Sequence, residues 1–176
     1  MTRRHLRPLR RTALWAVLIW SLSIPIVEAA PSISRTFAPF ELGMPIGEFL
    51  AAVPADEIGA VGDARLFSVI GLRVNVTGIW CTFTQERLSR IEITFSVEYS
   101  SRTPWKEFLA SATREYGTGF HLPVPGGDVE MWDDGRTTLV LERRAVTARD
   151  LAYVVTLFDD AVAIEHGSRC APRYSV

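Results

Sequence analysis

Four side chains of this sequence are of the types that bind zinc or act as general bases: His121, Asp133, Asp134 and His166. Zinc needs three or four nitrogen, sulfur or oxygen ligands that converge at about 2 Å. The two histidines lack the paired spacing of a compact metal motif, and no G-x-S-x-G sequence marks a nucleophile. A metal-dependent or hydrolytic enzyme that uses these four residues is therefore the alternative hypothesis. The preferred prediction has no catalytic residue, no metal and no cofactor.

The Asp-Asp-Gly sequence at 133–135 is also explained as a tight turn. It separates the runs DVEMW (128–132) and RTTLVLERR (136–144), and Asp and Gly are favoured in the turns of β-hairpins. A hairpin tip is a common place for a contact with another molecule. We predict that a partner is bound by four residues at this turn: Trp132, Asp133, Asp134 and Arg136.

Seven aromatic residues could either line a binding face or pack the core. They are Trp80, Phe83, Phe95, Trp105, Phe108, Trp132 and Phe158. Those at alternating or helical spacing are expected in the core. Trp132, beside the turn, is expected to be exposed.

The first 29 residues have the three parts of a secretory signal. Five arginines lie in the first eleven positions, an apolar run covers 12–27, and Val27 and Ala29 allow cleavage before Ala30. The apolar run has 16 residues, fewer than the roughly 20 that cross a bilayer. We therefore predict export to the periplasm or the cell exterior, with a retained membrane anchor as the alternative.

The charge of the exported part argues against binding to nucleic acid. Removing residues 1–29 takes away five arginines and one glutamate, which leaves 14 basic and 19 acidic residues and a net charge of −5. Such a surface repels phosphate backbones and gives no basic patch for anionic lipid. Contact with a membrane is expected only through an uncleaved signal segment.

Both cysteines, Cys81 and Cys170, lie in the exported part. An even number of cysteines in an oxidising compartment favours pairing. We predict a Cys81–Cys170 disulfide bond, and two free thiols are the alternative because spacing alone does not bring two Cα atoms into range.

The spacing of apolar residues predicts the helices and strands that would position the candidate site residues. Helical spacing indicates helices at 46–53 and 105–116, and a last short helix at 160–168. Strand-like runs occupy 65–70, 73–84, 87–99, 128–132, 136–144 and 151–159. The stretch 121–127, which contains two prolines and two glycines, is predicted to be a loop.

The sequence Glu-Phe-Leu-Ala occurs at 48–51 and again at 107–110, an offset of 59 residues. The same offset aligns the predicted strands of the two halves, which indicates an internal duplication. We therefore predict an α+β fold of two layers, in which helices cover an antiparallel sheet built from two tandem α-β-β-β units. The predicted domains are a signal peptide at 1–29 and a single domain at 30–176, with units at about 35–100 and 101–170.

Two short sequences carry a resemblance to known families. They are Phe40-Glu41-Leu42-Gly43-Met44 before the helix at 46–53, and Trp132-Asp133-Asp134-Gly135 before Thr137-Thr138-Leu139. In this layout, over about 35–160, the chain resembles tandem β-lactamase-inhibitor-like proteins and small outer-membrane assembly lipoproteins of the SmpA/OmlA (BamE) type. The resemblance implies an envelope protein that binds another protein.

The sequence thus predicts a non-catalytic exported protein that binds another protein or an envelope component. This prediction has two alternatives: the enzyme described above, and a structural subunit of an envelope assembly.

Overall fold

The computed structural model describes residues 31–125 and 127–165, and only the backbone at 163–165. The helices of this part of the chain are α1 (Ile46–Ala52), α2 (Val97–Arg102), α3 (Trp105–Tyr116) and α4 (Asp160–Glu165). The first strands are β1 (Thr36–Phe37), β2 (Phe40–Glu41), β3 (Asp56–Val61), β4 (Ala64–Val69), β5 (Val76–Thr84) and β6 (Arg87–Phe95). The later strands are β7 (Phe120–Val124), β8 (Gly127–Asp133), β9 (Thr137–Ala145) and β10 (Leu151–Asp159).

Eight strands form one antiparallel sheet in the order β3-β4-β5-β6-β10-β9-β8-β7, and β1 pairs with β2 in a separate hairpin. The first four and the last four strands of the sheet are consecutive in the chain. The two sets meet where β6 pairs with β10, with Ile93 opposite Val155 and Ile91 opposite Leu157. Each set therefore runs from an edge of the sheet to its centre.

The predicted two-layer α+β fold of two α-β-β-β units was wrong. The protein is mostly β, because one eight-stranded sheet dominates it and the described helices are only 6 to 12 residues long. Each half contributes four strands, and the two missed strands are the edges β3 and β7. An edge strand pairs on one side only, so β7 tolerates Pro123, whose ring nitrogen cannot donate to a ladder. Neither strand has the buried alternation that marks the central strands.

The predicted strand at 87–99 ends early. Its alternation continues to Val97, but β6 stops at Phe95 and α2 begins after Ser96. The Ser96 hydroxyl accepts a hydrogen bond from the Tyr99 N–H at 3.2 Å, which is the geometry of a helix N-cap. A side-chain cap therefore overrides the strand pattern at this point.

The helix predicted at 105–116 is confirmed as α3, and the one at 46–53 ends one residue earlier as α1. The predicted hairpin is also confirmed, since β8 pairs with β9 across the turn at 134–136. The last helix, α4, is described over Asp160–Glu165; the rest of the predicted 160–168 helix lies outside the described residues.

Helices α1 and α3 pack on one face of the sheet, called here the core face. Phe49 of α1 lies among Phe40, Phe67 and Phe83, with ring centroids 4.9 to 5.6 Å apart. In the other half, Phe108 of α3 packs on Tyr153 with centroids 4.6 Å apart. The pairs are tilted or edge-on, as aromatic quadrupoles favour. The main hydrophobic core therefore lies on this face.

Candidate functional site

Trp132 is part of the core, so the expectation that it is exposed was wrong. It is 5% exposed, and its indole N–H donates to the carbonyl of Gly117 at 2.9 Å. Gly119 makes room for the ring, since a Cβ there would lie 2.8 Å from it. A buried indole with its N–H satisfied has a sufficient structural explanation.

The two aspartates of the turn hold backbone groups. The Asp133 carboxylate accepts from the Gly135 N–H at 2.6 Å. The Asp134 carboxylate accepts from the N–H groups of Arg136 and Thr137 through one oxygen, at 2.9 and 2.7 Å, and from the Ile33 N–H through the other, at 2.6 Å. Asp134 therefore ties the N-terminal segment to the β8–β9 turn.

The electrostatics of Asp134 match this role. Burial acts to raise the pKa of its carboxyl, but the three N–H donors stabilise the charged form and lower the pKa below its usual value. The positive charge of Arg35 acts in the same direction. The carboxylate is thus stabilised in its ionised form by the fold itself.

Arg136 and Asp133 are exposed, whereas Trp132 is buried and Asp134 is partly buried. Arg136 also lines an open groove of about 440 Å³ that contains three arginines and three carboxylates: Arg35, Glu41, Glu48, Arg87, Arg136 and Asp159. Arg35 is paired with Asp159, whose side chain is 6% exposed. The groove therefore has no excess of one charge to select a ligand.

Among the described residues, the structure does not bring His121 together with Asp133 and Asp134. His121 contacts Glu130, with Nδ1 and Oε2 3.1 Å apart. Glu130 and Asp133 are three positions apart on β8, so Asp133 faces the opposite side of the sheet. His166 lies outside the described residues. Within 31–125 and 127–165, no group of three or more His, Cys, Asp or Glu side chains is placed to hold a metal ion.

Cys81 lies on the core face of β5 and is fully buried. Burial raises the pKa of its thiol to about 12. Cys170 lies outside the described residues, so the Cys81–Cys170 bond stays a prediction.

The opposite face of the sheet, called here the outer face, carries a group that sequence reasoning missed. In β5, Ile79, Cys81 and Phe83 point into the core, so Trp80 lies on the outer face. Trp80 is half-buried and stands opposite Glu92 of β6. The Trp80 surface is defined here by five residues: Trp80, Arg90, Glu92, Glu142 and Arg144.

The indole of Trp80 lies along its own strand above Gly78. A Cβ built on Gly78 would stand 3.0 to 3.4 Å from three atoms of the six-membered ring. The missing side chain thus lets the ring lie close to the backbone, and the packing restricts its rotation. A large aromatic group held in one orientation loses little entropy when a partner covers it.

Four charged side chains form a connected set that begins at Glu92, the residue opposite Trp80. Arg144 donates to both oxygens of Glu142, at 2.9 and 2.7 Å, and to Glu92 at 3.3 Å. Arg90 donates to the other oxygen of Glu92. The hydrogen bonds to Glu142 raise the pKa of Arg144, which partial burial opposes. The four charges therefore hold one another in place across β6 and β9.

The arginines are the outermost charges of the Trp80 surface. The side chains of Arg90 and Arg144 are 41% and 45% exposed, whereas those of Glu92 and Glu142 are 15% and 13% exposed. A molecule that approaches this part of the outer face therefore meets the guanidinium groups before the carboxylates.

The rest of the outer face is more apolar. Val129, Val140 and Phe158 form a second buried cluster at the β7–β10 end. The guanidinium carbon of Arg90 lies 5.2 Å from the centroid of the Phe158 ring, a cation–π distance. The Trp80 surface thus adjoins a packed apolar region.

Trp80 was predicted to be in the core, although the sequence contains a signal against this. The alternation of Ile79, Cys81 and Phe83 already places the residue between the first two on the other face. The charged partners could not be found in this way, because Arg144 is far from Glu92 in sequence and meets it only through the β6–β10–β9 pairing.

No protein-family model, characterised protein or solved structure matches this chain. Among the described residues, the helices are all too short or too polar to cross a bilayer.

Proposed function

We propose that this chain is a non-catalytic exported protein that binds another protein through the Trp80 surface. The observation that carries the proposal is an indole held over Gly78 and opposite Glu92, whose carboxylate accepts hydrogen bonds from two partly exposed arginines. Trp and Arg are the residues most enriched among those that dominate the energy of protein–protein contacts. The wide β-sheet supplies the rigid support that such a contact needs.

The Trp80 surface has no net charge, but its arginines are more exposed than its glutamates, and this exposure indicates the chemistry of the partner. A guanidinium edge forms paired hydrogen bonds with a carboxylate, and the indole buries apolar area. The partner is therefore a protein surface that presents an acidic side chain next to an apolar one. This assignment moves the binding residues from the predicted turn to the outer face, since the turn carboxylates are occupied by backbone N–H groups.

The export part of the proposal is supported by the sequence features of residues 1–29. Intact mass of protein recovered from a secreting host tests it. We expect a chain that begins at Ala30, and an uncut chain in the cytoplasm would contradict export.

Binding is tested with three variants of the exported protein. Trp80→Ala and Arg144→Ala remove the two main contact groups, and Ile70→Ala is the matched control, because Ile70 is 74% exposed and lies outside the Trp80 surface. Each immobilised protein is incubated with the secreted and envelope fractions of its host, and the captured protein is identified and titrated against all variants by calorimetry.

We expect Trp80→Ala to raise the Kd by tenfold or more, which corresponds to a loss of about 1.4 kcal/mol in binding free energy. Arg144→Ala should raise the Kd by a similar factor. Ile70→Ala should bind like the parent. Circular dichroism confirms that each variant is folded. The proposal is refuted if the parent captures no protein, or if the Trp80 and Arg144 variants bind as tightly as the control.

A further inference from the structure

A small cavity lies at one end of the core face, between α2 and the loop that joins β9 to β10. Arg143 of β9 and Tyr153 of β10 stand opposite each other in the ladder, so both lie on the core face. The loop contributes Arg149 and Leu151, and α2 contributes Val97. The volume of the cavity is about 170 Å³, and a protein cavity of about 150 Å³ is large enough for a benzene molecule. The cavity therefore has room for a small organic ligand.

Arg143 has hydrogen-bonding capacity that the fold does not use. Its Nη2 lies 2.5 Å from the Asp128 carboxylate. Its Nε is buried and has no hydrogen-bond partner within the described part of the chain. An unpaired buried N–H group is unfavourable, and an acceptor bound beside it relieves the cost. Arg143 can therefore hold a ligand oxygen in addition to Asp128.

Arg149 brings a second guanidinium group to the cavity. The N–H groups of Arg149 and Asp150 donate to the Thr147 hydroxyl at 3.2 and 3.1 Å, and this hydroxyl donates to the Asp150 carboxylate at 2.9 Å. These hydrogen bonds fix the loop. Arg149 is exposed, and no carboxylate within 31–125 and 127–165 pairs with it. Its positive charge is therefore available to an anion.

The hydroxyl groups of the cavity already donate to the backbone. Those of Ser100 and Ser101 each donate to a carbonyl at 3.0 Å, and that of Tyr153 donates to the Thr103 carbonyl at 2.7 Å. A hydroxyl has one proton to donate. The donors left for a ligand among these lining residues are therefore those of the two arginines.

The other lining residues favour a single negative charge next to an apolar group. Asp150 lines the cavity, and its charge repels a second negative charge on the ligand. Val97, Leu151 and the ring of Tyr153 form the apolar part of the lining. A pocket of this kind, mostly apolar with a few polar groups, selects a ligand by matching both parts.

We propose that this cavity binds a short aliphatic monocarboxylate, whose oxygens accept hydrogen bonds from Arg143 and Arg149 and whose alkyl chain packs on Val97 and Leu151. Guanidinium groups match the geometry of a carboxylate better than any other side chain. The same chemistry occurs in a free small acid and in the C-terminal residue of a peptide. The site lies on the core face, so it is separate from the Trp80 surface and adds a second kind of ligand.

Calorimetry of the purified exported protein with two probes, sodium butyrate and N-acetyl-glycyl-valine, tests the proposal. We expect saturable binding of butyrate. Butyramide, which has the same shape without the charge, should bind at least about tenfold more weakly because hydrogen bonds to a charged group are stronger. Tighter binding of the peptide than of butyrate assigns the site to a peptide C-terminus, and the reverse order assigns it to a free acid.

Two variants test the arginines. Arg149→Gln and Arg143→Gln should each raise the butyrate Kd by about tenfold or more. Arg102→Gln is the matched control, because Arg102 is exposed at the end of α2 and lies outside the cavity; it should bind like the parent. Arg149→Gln breaks no ion pair of the described fold, and circular dichroism shows that each variant is folded.

Three results would overturn the proposal. The parent binds neither probe saturably, butyramide binds as tightly as butyrate, or Arg149→Gln binds butyrate as tightly as Arg102→Gln does.

Discussion

Substitution of Asp134 by asparagine should destabilise the fold more than its conservative shape suggests. The asparagine oxygen can still accept from the Arg136 and Thr137 N–H groups, but its NH₂ group then faces the Ile33 N–H, and two donors meet. A hydrogen bond to a charged group contributes about 1.5–3 kcal/mol. Because the site is only partly buried, we expect the free energy of unfolding to fall by about 2 kcal/mol.

This loss should lower the Tm by roughly 4–8 °C for a domain of this size. Asp133→Asn is the matched control, because within the described part of the chain Asp133 accepts the Gly135 N–H through one oxygen, which asparagine retains. It should cost less than about 1 kcal/mol. Urea unfolding at neutral pH measures both variants, and equal stabilities for the two would refute the assigned role of Asp134.

The pH dependence provides a second check on the same residue. The folded-state pKa of Asp134 lies below its usual value, so folding favours the ionised form. The contribution of the ionised carboxylate to the free energy of unfolding is complete above the unfolded-state pKa of about 4, and it is lost as the pH falls through the lower folded-state pKa. The difference in stability between the parent and Asp134→Asn should therefore be largest near neutral pH and shrink in acid. A difference that is constant down to strongly acidic pH would contradict this reasoning.

Three further predictions concern single residues. Burial and the charges of neighbouring aspartates raise the folded-state pKa of Asp160. The neutral carboxyl group therefore stabilises the fold below the unfolded-state pKa, and this stabilisation is lost as the pH rises through the folded-state pKa. Asp160→Asn should therefore stabilise the protein at neutral pH by up to about 1 kcal/mol, and a lower midpoint in urea would argue against this. Gly119→Ala should destabilise by about 1–3 kcal/mol, because the new Cβ would lie 2.8 Å from the Trp132 ring; an unchanged Tm would show that the ring moves aside freely. Cys81 should resist alkylation in the native protein, because it is fully buried and its thiol pKa is raised to about 12. Rapid labelling of Cys81 in the folded protein would contradict its burial. Labelling of Cys81 in denaturant without reductant would show that it is not disulfide-bonded.

The elements with strong local signals were predicted from sequence. The stripe of Trp105, Phe108 and Leu109 with Gly117 after it identified α3, and the alternation of Ile91, Ile93 and Phe95 identified β6. Such patterns are local because a packed face repeats with the period of its own element.

The fold class could not be predicted from these local patterns. The edge strands β3 and β7 carry no buried alternation, and the Ser96 cap ended a strand whose pattern continued. An edge strand is held by the hydrogen-bond ladder of its neighbour, so its own side chains need not show a pattern.

Sequence alone gave the pattern of basic, apolar and small residues at 1–29, the acidic charge of residues 30–176, two helices and the central strands. Each helix and strand was found from residues close together in the chain. Only the tertiary structure decided which residues are available for binding. It buried Trp132 against Gly117 and used Asp134 to hold Ile33. It also brought Arg144 to Glu92, 52 residues away, beside Trp80. Strand order decides such contacts between distant residues, and strand order is set by the packing of the whole sheet.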